Sequence, residues 1–189
     1  MSEGPESAAG SDLAARSRER VGDWLADLRE RYGDFERVEK RWEQAPAAYE
    51  RDRDRIAAGA NGGAGVWITD DEGRVLLVRN AGDEGWADPG GKREAGESFE
   101  AAARREVREE TNVRCAITGV REVHALELVD GTDPARSALA SLIVIFDGAY
   151  EGGEPRPREG EIAEVAWFDT CPDAVLYPEV AARPFPASE

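Results

Sequence analysis

Large apolar residues recur at steps of three and four through the first quarter of the chain, where Val21, Leu25, Leu28, Tyr32, Phe35, Val38 and Trp42 alternate with charges. That period predicts amphipathic helix over residues 13–49. Gly22 and Gly33 weaken it and Pro46 ends or kinks it, so one helix and two remain open. Such a stripe packs against a main domain or zips onto a second copy, which leaves a homodimer open. Residues 57–65 (AAGANGGAG) are small and flexible, and composition changes across them. The domain boundary is therefore expected there, with a helical extension at 1–60 and a catalytic domain at 61–189.

Beyond the boundary the pattern shortens. Residues 66–69 and 74–79 are β-branched apolar runs separated by Asp70, Asp71, Glu72 and Gly73, a hairpin signal. Further strands are expected within 117–129, 139–146 and 162–168, with a short helix near the C-terminus. Between them, Ser98 can cap a helix that runs through FEAAARREVREET, where Asn112 can take the left-handed turn that ends it. The pattern is mixed α/β with a mixed sheet and lacks a regular βαβ repeat.

Composition narrows the chemistry. The net charge is −16, and only Lys40 and Lys92 of the 24 basic residues are lysine. An acidic surface of this kind repels nucleic acid and anionic membranes, and it suggests adaptation to high salt, where screening relieves self-repulsion. No run of roughly 20 apolar residues is present, and residues 1–11 lack a leader's basic start and apolar stretch, so a cytoplasmic protein is expected. Cys115 and Cys171 are isolated and His124 is the one histidine, which excludes a zinc site of His and Cys. Carboxylates are what remains for catalysis, and oxygen ligands suit Mg²⁺ or Mn²⁺.

One region concentrates them. Pro89, Gly90 and Gly91 open a loop, KREAGE, that ends at Glu97 just before the capped helix. On that helix Glu106 and Glu110 lie one turn apart with Glu109 beside them, and like charges at this spacing repel unless a cation intervenes. Arg105 can pair with Glu109 or reach back to Glu97 as a staple, the preferred reading. Gly91, Glu97 and the run Arg105-Glu106-Val107-Arg108-Glu109-Glu110-Thr111-Asn112-Val113 together resemble the Nudix box, with the family's spacing throughout. Asn112 departs from the usual glycine, and Asp88 stands where an apolar residue is common.

The resemblance to the MutT-like Nudix hydrolases implies an α/β/α sandwich with a mixed sheet. It also implies Mg²⁺-dependent hydrolysis of a nucleoside diphosphate linked to another group, an ADP-ribose-like compound or a nucleoside triphosphate. The alternative is a Nudix-fold sensor that binds its nucleotide without cleaving it. Glu106 and Glu110 are the expected metal ligands, Glu109 a further ligand or a carboxylate behind them, and a backbone carbonyl near Gly90 could complete the shell. In such enzymes the general base often lies on a later loop, and Glu159 and Glu161 stand in a suitable place. Trp86 is expected under the loop, with base stacking as the alternative. His124 is expected to be structural.

Overall fold

The computed structural model describes residues 5–186, with side chains from residue 10 onward. Residues 1–4, part of the stretch read above for a leader, lie outside the described residues. The elements follow in the order α1 (Pro5–Tyr32), β1 (Glu36–Gln44), α2 (Pro46–Ala57), β2 (Gly63–Thr69), β3 (Val75–Asn80), β4 (Gly90–Lys92), α3 (Phe99–Thr111), β5 (Arg114–Asp130), β6 (Leu139–Gly152), β7 (Ile162–Phe168) and α4 (Pro178–Ala182). This is a mixed α/β fold in which a long helix precedes the sheet. Strand order is β1-β5-β6-β2-β3-β7, with β4 paired to β2.

The described residues divide into two compact units, one reaching to residue 63 and including 92–97 and 122–144, the other including 64–91, 98–121 and the described chain from 145 on. In the first, Ala14, Ser17, Val21, Leu25 and Leu28 of α1 are buried at the expected helical spacing. Leu13 and Ala14 pack with Tyr49, Leu126, Leu128 and Leu139 in one apolar cluster. Each such large side chain, taken out of water, contributes roughly 1.5–3 kcal/mol.

The helical period does not persist to residue 49, which corrects the expectation for this segment. Gly33 takes φ +78, a left-handed turn that stops α1 after Tyr32. Residues 36–44 then run parallel to β5, from Glu36 opposite Glu122 to Gln44 opposite Asp130. Val38 and Trp42 are four apart, a spacing that suits one face of a helix and equally one face of a strand. Tertiary pairing decides between them. Pro46 neither ends nor kinks a helix but opens α2, where its missing N–H costs nothing.

The second unit holds the expected hairpin, with Ile68 opposite Leu76 and Thr69 opposite Val75. Asp70 organises its turn by accepting hydrogen bonds from the amides of Glu72 and Arg74. β7 pairs antiparallel to β3. Trp67, Val75, Leu77, Val180 and Phe185 form its apolar cluster, with Trp86, Phe168 and Val175 packed against them. No described helix is long and apolar enough to cross a membrane.

Candidate active site

Helix α3 forms where the sequence places it. Ser98 accepts from the Ala101 amide at 3.1 Å, satisfying one of the first free N–H groups of the helix. Asn112 ends the helix at φ 60, the single non-glycine residue with positive φ among the described residues, and its side chain donates to the Glu154 carbonyl at 3.0 Å. Between these caps one face is buried, including Ala102, Ala103, Val107 and Thr111, and three carboxylates are buried with it, Glu100 in the first turn and Glu106 and Glu110 one turn apart near the end.

Both carboxylates lie against the Pro-Gly-Gly entry. The Gly90 amide donates to Glu110 Oε2 at 2.9 Å. Gly91 stands so close to Glu106 that a Cβ added there would lie 2.6 Å from its carboxyl carbon, a separation side chains do not adopt. A side chain at 91 would displace the Glu106 carboxylate, whereas one at 90 would meet the backbone of Ala64 and Gly65 at 2.5 Å, so it is at Gly90 that close approach requires glycine. Arg105 Nη1 donates to Glu106 Oε1 at 2.8 Å.

Glu110 is poorly compensated. Burial pushes its carboxyl up to about 8, the Gly90 hydrogen bond pulls it partly back, and the negative charges of Glu106, Glu161 and Asp88 raise it further. A buried carboxylate short of positive charge is what a hard cation would relieve, and carboxylate oxygens are the ligands Mg²⁺ prefers. Among the described residues no three His, Cys, Asp or Glu groups converge as a ready-made cage.

A later loop reaches the same helix. The Arg156 and Arg158 amides donate to the carbonyls of Thr111 and Glu110, at 2.9 and 3.1 Å, satisfying acceptors at the helix end. Arg158 Nη1 then bridges Glu109 at 3.1 Å and Glu161 at 3.0 Å. The arrangement puts Glu161 near enough for its charge to be felt at Glu110. Glu159, on the same loop, is exposed and makes no ion pair among the described residues. Glu109 is engaged by two cations, since Arg105 also lies 3.8 Å from it.

The sequence pattern of the NUDIX domain matches residues 60–183. The chain belongs to the Nudix family. A curated relative, the nucleoside triphosphatase NudI of Enterobacter sp. (strain 638), is 32% identical over an alignment of 111 positions that covers 53% of this chain and 76% of that protein. Similar solved structures include a NUDIX hydrolase from Nitrosomonas europaea, 25% identical with a TM-score of 0.45 over 57% of this chain and 71% of that one. Another is a MutT NUDIX hydrolase from Burkholderia pseudomallei, also 25% identical, with a TM-score of 0.47 over 62% of this chain and 90% of that one.

Around the Nudix box the other residues singled out in the sequence take varied places. Glu97 turns back on its own loop, accepting from the Glu94 amide at 3.0 Å. That loop is anchored by Arg93, whose guanidinium donates to the carbonyls of Asn61, Gly59 and Glu97. Trp86 packs edge-on against Phe168 with ring centres 4.7 Å apart, as a core residue does. His124 is buried on β5 and hydrogen-bonded to Glu122 at 2.7 Å, an orienting partner not anticipated from the sequence. Asp88, the unusual residue before the box, meets Arg183 at 2.6 Å, with both side chains nearly buried. Its ion pair replaces the apolar contact expected there. Arg158 and Arg183 are the two residues of this region that sequence reasoning passed over; each acts on a partner distant in the chain.

Proposed function

We propose that this Nudix pyrophosphohydrolase uses Mg²⁺ or Mn²⁺ to cleave a nucleoside triphosphate, with an ADP-ribose-like nucleoside diphosphate derivative as the second candidate substrate. The observation that carries the reading is the Glu106–Glu110 pair against Gly90 and Gly91, in which Glu106 has Arg105 beside it while the buried Glu110 is held by a backbone amide and lacks the positive charge a cation supplies. The triphosphate is placed first because the 32% identical relative is named a nucleoside triphosphatase.

In this reading Glu106 and Glu110 hold the metal, Glu109 stands behind them, and the backbone about Gly90 lines the entry. When bound, the cation would neutralise charge developing on phosphate oxygens and make a water more acidic. The rest falls to the chain itself. The Gly90 amide and Arg105 fix the orientation of Glu110 and Glu106. Arg158, by bridging Glu109 and Glu161, holds the later loop against the helix, so that Glu161 is the better placed of the two loop glutamates to take a proton from the attacking water. The water oxygen bonds to phosphorus as the bridging P–O bond breaks, and from a triphosphate the pyrophosphate or the nucleoside monophosphate leaves as the anion. Residues 61–189 would constitute the catalytic domain and 1–60 its extension.

The test is a panel of nucleoside triphosphates and ADP-ribose with each metal, scored for pyrophosphate, phosphate and nucleoside monophosphate. Pyrophosphate with monophosphate from a triphosphate is expected, and it should fall by more than about a hundredfold in Glu106→Gln and Glu110→Gln. Tight binding without release of any product would replace the enzyme with a nucleotide sensor.

A further inference from the structure

β1 ends the strand order, pairing with β5 on one side and with no described strand on the other. A free strand edge presents unpaired N–H and C=O groups that accept another strand. What makes this edge more than a liability is its sequence, Glu36-Arg37-Val38-Glu39-Lys40-Arg41-Trp42-Glu43-Gln44.

Laid antiparallel on a second copy, with Lys40 on the two-fold axis, the strand is complementary to itself. Arg37 meets Glu43, Glu39 meets Arg41 and Val38 meets Trp42, each pair occurring twice by symmetry. Directly opposed residues stand about 4.5–5.5 Å apart, where opposite charges and aromatic–β-branched pairs stabilise. The register is specific. A two-fold pairing within one sheet can slip only by steps that keep side chains on their own face. The next step one way opposes Arg37 to Arg41 and Glu39 to Glu39; the next step the other way opposes Glu39 to Glu43 and Arg41 to Arg41.

Two further observations fit. Trp42 is 37% exposed, one of few large apolar side chains left to solvent, and Val38 of the second copy would cover it. The charges are already held in place, since Arg37 pairs with Glu39 at 2.6 Å and Arg41 with Glu127 across the strand pair. Lys40 alone opposes its own copy, and its flexible stem lets the two ammonium groups splay apart.

We propose that the chain forms a symmetric dimer through antiparallel pairing of β1 with β1 of a second copy, centred on Lys40. The contact is isologous, as a two-fold requires. A single strand pair covers less surface than a standard interface, so association should depend on protein concentration.

Sedimentation velocity across a concentration series tests it on the full chain. Wild type should shift from monomer toward dimer. Arg37→Glu sets two like charges opposite each other, the new carboxylate against Glu43, and should weaken association more than about tenfold, while R37E/E43R restores the opposite pair and should recover it. E39R and E39R/R41E form a second, independent swap with the same expectation. Lys40→Cys in a Cys171→Ser background should form an interchain disulfide under mild oxidation, because opposed Cα atoms lie within disulfide reach. A chain that stays monomeric throughout, charge swaps that fail to rescue, or absence of that interchain cross-link would each overturn the proposal. Circular dichroism identifies any variant that fails to fold, and the other swap then decides.

Discussion

Glu110 occupies surroundings that oppose its charge, and that has a consequence for stability as well as catalysis. Its carboxyl titrates near 8 in the folded chain against about 4.5 when exposed, chiefly because it is buried. Below about pH 4.5 it is neutral folded or unfolded. As pH rises from there through 8 the unfolded chain ionises first, so stability is progressively lost, by an amount on the order of a few kcal/mol. In chelator, Glu110→Gln should therefore unfold at higher denaturant than wild type at pH 9 and at nearly the same denaturant at pH 4.5; urea titrations at both values check this. An equal midpoint at pH 9 would mean that Glu110 is already compensated. The loop glutamates make a second case. Glu161 is tied to Arg158 and felt at Glu110, whereas Glu159 has neither link among the described residues, so Glu161→Gln should lower turnover by more than about tenfold and Glu159→Gln should leave it nearly unchanged. Steady-state rates on the best substrate distinguish them.

At the scale of elements, α3 is defined at both ends by single residues. Asn112 carries the left-handed turn that glycine usually supplies, at φ 60, and adds a side-chain bond to Glu154. Asn112→Gly should cost little, while Asn112→Ala should cost about 1–2 kcal/mol, readable as a lower thermal midpoint. The helix, its caps and the hairpin were legible because each depends on near neighbours: Ser98 on Ala101, Asp70 on Arg74. β1 was not. Its partner lies far along the chain, and Val38 and Trp42 satisfy the helical period as well as the extended one. The short strand at Gly90–Lys92 was hidden for a related reason, since its pairing with β2 is all that makes it a strand. Within the site, spacing put Glu106, Glu109 and Glu110 on one helix face, and the resemblance to the Nudix box singled out Glu106 and Glu110. Arg158 could not be named this way, because its role appears only once its backbone has docked on the end of α3. Asp88 was noticed as out of place, but the arginine that explains it is 95 residues away.

The whole molecule carries a charge of −16, with its cations almost entirely arginine. Many of those arginines sit in exposed ion pairs, such as Arg31 with Asp27 and Arg53 with Glu50, which contribute little individually. The excess negative charge repels itself, and added salt screens it over about 10 Å at 0.1 M and less above. The melting temperature should therefore rise between low and molar KCl; a flat or falling curve would remove the case for salt adaptation. The parallel pairing of β1 with β5 has a different consequence, in time rather than in energy. Arg41 and Glu127, opposite each other in the sheet, are 86 residues apart. A chain made from its N-terminus presents α1 and β1 long before their partner exists, and contacts so distant in sequence close slowly. A segment made early is thus among the last to find its place, and until then its open edge is available to any strand that comes near.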